Sequence, residues 1–583
     1  MHLRQAVLQI DAAQGLKTYT LQPDRPNSFD ELYVDFRTAG SPAAVRYSVF
    51  LHPKTDITVR RLELQFEVRS PSPRPFFANG FQSWSESRLL GPAGSIPALR
   101  KIARPFMGYY GDDFLYRAPA GKDEAHSWTY TYLSGASPER IFLGSLNEHT
   151  GFTLFRYDRA GGLLRAEKDI SGLVLSHSFP ALDVLVLKGR ESDVFDAYFD
   201  ELKKNAPPGA PPPGPAQPGL GWTSWYRYFT HISEKIILEN ADAIVASGLP
   251  FRYLQIDDGW QNAVGDWRSV KPAFPDGMGA LAAAIRQRGL APGLWLAPFV
   301  ASATSDLVRK HPEWLLKKPG GKPLRAGWNP LWGGWFYALD FYHPGVQDYL
   351  SGVFHIATEQ WGYELFKLDF LFAVCLAPPP GKTRGQVMHD AMAFLRRQVG
   401  ARQLLACGVP LGAAFGLADG CRIGGDVHTR WEHRLLSFLR HRERVSTLAS
   451  LRSTLGRWQL NRRAFLNDPD VFILRREHQH LSPEQQHTLL TINVLLGGIL
   501  FCSDNPANYS LQQRAELEDA LAWQGSHVGA VQEVARDVYK IDLEQAGTRY
   551  TAWCNLDSRA APLPETKNGR VELRPFETLI LKD

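Results

Sequence analysis

Cysteine is scarce in this sequence: there are five, at positions 375, 407, 421, 502 and 554, and none forms a CxxC pair. An odd, scattered set excludes a disulfide framework or thiolate zinc site and points to a reducing compartment. Long apolar runs are lacking too, so no membrane span is expected. The opening MHLRQAVLQIDAAQ has no apolar stretch of secretory type, which leads us to expect a cytoplasmic protein. Charge of one sign is not in excess. The 65 basic and 60 acidic side chains leave +5 over 583 residues, with no block of like charges. That balance excludes a nucleic-acid footprint and a polybasic membrane anchor. What is abundant is aromatic: 16 Trp, 20 Tyr and 32 Phe, 12% of the chain. Flat apolar rings suit the C–H faces of sugars, although large cores use them as well.

Texture divides the chain into segments. Residues 1–205 hold short alternating runs such as YSVFL, ITVRRLELQFEVR and LDVLVLKG, separated by turn residues, and predict an N-terminal β-sandwich. The stretch 206–220 is dominated by proline and reads as a stiff linker. Over 221–505, eight buried-strand candidates alternate with helical periodicity: 221–226, 251–258, 291–298, 364–372, 404–410, 420–427, 465–474 and 497–505. This α/β pattern predicts a central (β/α)8 TIM barrel. The connection 411–419 is too short for a full helix. An open doubly wound sheet is the rival, but the GxGxxG of its nucleotide-binding form is absent. Residues 506–583 read as a helix followed by a small C-terminal β-domain.

The strand candidates end in acids: Asp257 and Asp258, Asp369, Asp426, Asp468 and Asp470, and Asp504. In a barrel these ends share one mouth. Carboxylates gathered there either bind a divalent metal or work on a glycosidic bond. Trp225, Trp295, Lys367 and Arg422 fall at the same mouth, and fixed cations beside a metal ion are unfavourable, so no metal and no cofactor are expected. Lys367 and Asp369, spaced i, i+2, share a strand face, and the lysine favours an ionised Asp369. Gly424 and Gly425 let the backbone bend so that Asp426 leans toward a substrate. Asp257 and Asp258, as acceptors only, suit sugar hydroxyls. Each of these residues also admits a structural role, as an ion pair or a turn cap. NDPD at 467–470 reads as a turn, outside the chemistry.

Taken together, GWTSWYRYF, LQIDDGWQ, PGLWLAPFVAS, FKLDFLFA, ACGVPL, CRIGGDV and FLNDPDVFILR, in this order from Gly221 to Arg475, resemble glycoside hydrolase family 36 in its compact bacterial α-galactosidase branch. The N-terminal third matches more loosely, through NGFQSWS. The resemblance implies a retaining α-galactosidase with Asp369 as nucleophile and Asp426 as general acid/base. Asp257 and Asp258 would bind the galactose hydroxyls at carbons 4 and 6. Lys367 and Arg422 would hold other ring hydroxyls, Trp225 and Trp295 would form apolar walls, and Cys407 would lie near the sugar. Trp84 would reach over the mouth from the N-terminal domain, with Trp332 a second such candidate. α-N-Acetylgalactosaminidase and galactosyl transfer are the alternatives on the same scaffold; a metal-dependent barrel hydrolase or a non-catalytic sugar binder is more remote. Expected partners are α-galactoside oligosaccharides, with neither nucleic acid nor membrane, and a homo-oligomer is allowed. The family often has a bulkier or proline-containing turn where Gly424 and Gly425 stand, a departure that implies either a looser acid or a changed aglycone subsite.

Overall fold

A computed structural model describes residues 1–13, 15–70, 72–109, 111, 124–135, 139–205, 218–563 and 572–583. Most of the proline-rich linker, 206–217, lies outside the described residues.

The centre of the molecule is a parallel sheet of nine short strands. They are β1 (Gly219–Thr223), β2 (Phe251–Ile256), β3 (Ala291–Leu296), β4 (Leu365–Leu368), β5 (Gln403–Ala406), β6 (Gly420–Arg422), β7 (Leu466–Asp468), β8 (Val471–Phe472) and β9 (Ile499–Cys502). Their spatial order is β7-β6-β5-β4-β3-β2-β1-β9-β8. The two end strands are separated along the chain only by Pro469 and Asp470, so the sheet curls back on itself. The strands are apolar and buried; every residue of β4, β5 and β9 is buried. That pattern belongs to parallel strands covered on both faces.

Helices α1 (Glu234–Ser247), α2 (Gly277–Gln287), α3 (Pro344–His355), α4 (Arg384–Val399), α5 (Arg434–Phe438), α6 (Thr447–Gly456), α7 (Pro483–Leu496) and α8 (Leu511–Leu521) follow the strands. Their starts are written locally. Ser233 caps α1, and Thr383/Gln386 and Ser482/Gln485 form capping boxes on α4 and α7. Between β5 and β6 only the single turn Leu411–Ala414 fits, as the short connection predicts. Among the described residues no helix is long and apolar enough to cross a membrane.

The strands are shorter than the apolar runs that announce them. The 221–226 run ends as strand at Thr223, and Trp225 opens a short helical turn, Trp225–Tyr228. The 465–474 run is broken in two. Pro469 has no N–H to give a ladder, and Asp470 sits at φ 77°.

Two antiparallel sheets, of seven and eight strands, form the N-terminal part and share a buried core that includes Leu8, Leu62, Leu64, Val49, Leu51 and Val184. Other residues of this part, including Phe81, Trp128, Phe195 and Tyr198, join the core of the parallel sheet. At this seam Phe199 meets Phe415 edge-on at 5.3 Å. A four-stranded antiparallel sheet closes the chain, and its first strand, His527–Ala535, had no clear sequence signal.

One buried cation ties these parts at the mouth. Arg457 is fully buried and donates to the Oδ1 of Asn79 (2.9 Å), to the carbonyls of Ser83 (2.7 Å) and Gln82 (3.2 Å), and to that of Ile423 (2.9 Å) after β6. Arg457→Met orphans several buried acceptors at once. The expected cost is about 3–5 kcal/mol, read as a lower midpoint in chemical denaturation. An unchanged midpoint would show that the seam does not need this residue.

Candidate active site

A cavity of about 870 Å³ opens at the C-terminal ends of the parallel strands. Asp257, Asp258, Lys367, Asp369 and Asp426 line it, with Trp84, Trp225, Trp295 and Trp332 as aromatic walls. Of the residues expected to catalyse or to touch the sugar, Arg422 and Cys407 do not line it. Both lie just behind the wall.

Asp369 is the first residue after β4. Its Oδ2 accepts from Trp295 Nε1 at 3.0 Å and its Oδ1 from the backbone N–H of Phe370 at 2.9 Å. Phe370 holds φ 53°, a left-handed turn that brings its N–H round onto the carboxylate. Burial pushes the Asp369 carboxyl above its ordinary range, and the charge of Asp426 adds to the push. Lys367 and the hydrogen bonds from Cys407 and Trp295 act in the opposite direction but do not win. Lys367 thus favours the ionised Asp369, as its spacing predicts, but burial outweighs it. The lysine reaches across to β2 and pairs with Asp257 at 2.8 Å.

Asp257 and Asp258 follow β2 directly. Asp257 Oδ1 accepts from the Asp258 N–H at 2.9 Å, and its Oδ2 accepts from Lys367 and from Gln255 Nε2 at 3.2 Å. Asp258 accepts from Gln261 Nε2 at 2.6 Å and from Trp332 Nε1 at 2.7 Å. Burial, reinforced by the neighbouring Asp257 charge, lifts the Asp258 carboxyl to about 6 against those two hydrogen bonds.

Asp426 lies four residues beyond β6, with its side chain 34% exposed, and pairs with Arg422 at 2.8 Å. Arg422 is itself 2% exposed and also faces Asp468 at 3.3 Å and Asp470 at 2.6 Å. It is thus occupied by carboxylates beneath the cavity floor and does not line the space a sugar would fill, contrary to its expected place beside ring hydroxyls. The NDPD segment, read as a turn outside the chemistry, supplies two of these three carboxylates. Tyr226 adds a hydroxyl that donates to Asp470. A pair of acids flanking a proline at a strand end was the available signal. Asp504, by contrast, is spent on Arg475 and the backbone N–H groups of Leu474 and Arg475.

Trp84 arrives from the N-terminal part on the loop that Arg457 pins. Its Nε1 donates to Cys407 Sγ at 3.1 Å, and its ring meets Phe370 edge-on at 4.9 Å. Gly408 stands beneath it at φ 56°, where a Cβ would lie 2.9 Å from the indole. The Gly424-Gly425 pair also has a different purpose from the one expected. Neither residue adopts positive φ. A Cβ on Gly425 would lie 2.9 Å from the carbonyl oxygen of Arg444 and 3.3 Å from that of Trp84. The turn before Asp426 is tightly packed, and the expected looseness is absent.

Buried carboxyls, two fixed cations and aromatic walls at the C-terminal edge of a curled parallel sheet define the site of a glycoside hydrolase. Residues 221–386 match the family model described as melibiase. The fold matches TtGalA, an α-galactosidase from Thermus thermophilus solved with p-nitrophenyl α-D-galactopyranoside, with 30% identity and a TM-score of 0.70 over 89% of this chain and 98% of that one. α-Galactosidase AgaA of Geobacillus stearothermophilus is 34% identical over 130 residues, 21% of this chain and 16% of that protein. An enzyme from Flavonifractor plautii named A type blood α-D-galactosamine galactosaminidase is 29% identical over 163 residues, 27% of this chain and 15% of that protein. The aligned stretches thus span only a minor part of these two curated relatives. The chain belongs to glycoside hydrolase family 36.

Gly425→Ala tests the packing account. Overpacking here is expected to cost about 1–3 kcal/mol and to lower kcat by displacing Asp426. A variant with unchanged stability and kcat would mean that the turn has room to spare.

Proposed function

We propose that the protein is a retaining α-galactosidase that removes terminal α-D-galactosyl residues from galactosides and oligosaccharides. The observation that carries this reading is the contrast between two carboxyls on one cavity: Asp369, buried and held by fixed donors, and Asp426, a third exposed and tethered by one arginine. In this reading residues 221–505 form a (β/α)8 barrel, with β7 and β8 together as its seventh strand. Residues 1–205 form a β-sandwich and 506–583 a helix with a small β-domain; the linker expected over 206–220 stops short of Gly219, where β1 already pairs with β9.

The reaction proceeds by double displacement. An Asp369 oxygen attacks carbon 1 from the face opposite the leaving group as Asp426 gives its proton to the glycosidic oxygen. The C–O bond to the aglycone breaks, and a covalent β-galactosyl ester on Asp369 remains. Asp426, now ionised, takes a proton from water, and the resulting oxygen nucleophile displaces Asp369 from carbon 1. Net inversion occurs twice, so configuration is retained. Arg422 stabilises Asp426 in its ionised stage from beneath, a positioning role in place of direct sugar contact.

Asp257 and Asp258 serve as acceptors for the hydroxyls at carbons 4 and 6, with Lys367 beside them. Glucose differs from galactose in the orientation of the carbon-4 hydroxyl, so it would leave a buried acceptor unpaired. Such mismatches support discrimination of roughly 10⁴-fold. A Thermus thermophilus relative has been solved with stachyose, which supports oligosaccharides of that kind as substrates here.

Asp369→Ala is expected to abolish turnover, and a fluorinated galactosyl inhibitor to label Asp369; label on another residue would refute the nucleophile. Asp426→Ala is expected to slow alkyl galactosides by roughly 10²–10⁴-fold while sparing galactosylation by aryl substrates with acidic leaving groups. Equal losses for both would argue against an acid. The pH profile follows from the raised carboxyls. Asp258 gains a proton as pH falls through about 6 and ceases to be a pure acceptor, and Asp369, raised in the same direction, loses nucleophilicity as it is protonated. We therefore expect kcat/KM to fall on the acid side from near pH 6. An acid limb near pH 4 would contradict the burial argument.

A further inference from the structure

The cavity has two chemically different halves. Its floor is ionic, as described above. Its outer half is built from Ile102, Phe106, Trp328, Leu331, Leu436 and Leu439. Several of these are unusually open to solvent for large apolar side chains: Ile102 is 77% exposed, Phe106 and Leu331 48%, and Trp328 39%. Isolated exposed apolar residues are ordinary, but a contiguous group at the mouth of a substrate cavity marks a binding surface.

Three separate pieces of chain make this wall, and they are tied together. The segment holding Ile102 and Phe106 comes from the N-terminal part. Arg100 anchors it to the α5 end, its backbone N–H donating to the Leu439 carbonyl at 3.0 Å and its Nε to that of Phe438 at 2.7 Å. Trp328 and Leu331 come from the hairpin between the antiparallel strands Arg325–Asn329 and Gly334–Ala338. Phe106 joins the two by stacking on Trp335 and meeting Trp328 edge-on, both at 5.9 Å between ring centres. Polar groups on this side are already engaged. The Asn329 side-chain carbonyl accepts from the Leu331 N–H at 3.0 Å, and Glu443 accepts from Ser85 Oγ at 2.6 Å. Among the described residues, a sugar ring seated here would find few free partners for its hydroxyls.

We propose that the leaving-group side of this site selects α-galactosides whose aglycone is an aliphatic chain. This rests on the α-galactosidase reading, because the aglycone of a terminal galactoside bound on the ionic floor must occupy the outer half. A chain lying against Phe106, Trp328 and Leu331 loses water along its length, and part of that gain persists in the transition state.

The test is kcat/KM for methyl, butyl and hexyl α-galactosides, whose leaving alcohols have nearly equal acidity, beside melibiose and raffinose. Half-burial of each methylene predicts a rise of about two-fold per carbon, with hexyl exceeding both oligosaccharides. Phe106→Ser and Leu331→Ser, each checked for a native thermal transition, are expected to lower the hexyl-to-methyl ratio several-fold. A flat alkyl series with melibiose or raffinose preferred overturns the aglycone proposal and leaves the α-galactosidase reading standing. A wild-type enzyme inactive on every α-galactoside would instead overturn that reading, and the proposal with it.

Discussion

Arg422 is the charge around which the mouth of the sheet is assembled. One guanidinium, almost wholly out of water, faces Asp426, Asp468 and Asp470. A lone buried cation would be prohibitively unstable, and so would the buried carboxylates of Asp468 and Asp470 without it. The excess negative charge is spread by hydrogen bonds. Asp470 accepts from the Val427 N–H at 2.7 Å and from the Tyr226 hydroxyl, and Asp468 accepts from the Asp470 N–H at 2.8 Å. Because β6, the turn after it and the broken β7–β8 segment all contribute, the same network fixes where the sheet meets its own other end. Electrostatics and topology here are one constraint. Burial raises the affinity of Asp258, Asp369 and Asp470 for protons, and the neighbouring carboxylates, six facing only Lys367 and Arg422 around this mouth, add to it.

A second consequence concerns the N-terminal part. Arg457 and Trp84 make it a component of the cavity wall. Arg457 donates to backbone carbonyls of Gln82 and Ser83 and to that of Ile423 together, so the loop carrying Trp84 and the turn leading to Asp426 are tied to one side chain. Gly425 repeats the coupling at closer range, since it lies under the Trp84 carbonyl. The aromatic lid residue and the proposed acid therefore share one rigid frame, which fits a site that must hold atoms to fractions of an ångström.

Much of this arrangement is legible in the sequence, for reasons that mark its limit. Parallel strands buried on both faces read as apolar runs, and the acids at their ends stand out against them. Asp257, Asp258, Asp369 and Asp426 were visible for that reason, and the Lys367–Asp369 spacing correctly put both side chains on one face. What escaped depends on contacts between distant segments. Lys367 chose Asp257 over its sequence neighbour. NDPD, read as a turn, is instead the end of β7 and the break before β8, and that reading concealed that Asp468 and Asp470 hold Arg422. Gly424 and Gly425 read as freedom because glycine usually means that, whereas Gly425 is a demand for close approach. The outer wall at Phe106 and Trp328 had no local signature, since neither residue is apolar-periodic and each makes sense only against the other.

The unequal burial of the two central carboxyls is what the double displacement needs. A nucleophile has to present one oxygen at a fixed distance through both steps. Asp369 is 8% exposed, and the indole N–H of Trp295 and the Phe370 N–H fix its two oxygens. Its removal from water also strengthens every interaction it makes, including the attraction to positive charge developing at carbon 1. Those restraints would disable a group that must exchange a proton first with a leaving oxygen and then with water. Asp426 has no such cage. A third of its side chain is open to the cavity, and its one strong partner, Arg422, is already shared with two other anions. The guanidinium is thus divided among three carboxylates, and Asp426 is the one of the three that reaches the cavity. The supporting acids Asp468 and Asp470 thus fix where the guanidinium that tethers Asp426 stands, although neither lines the cavity.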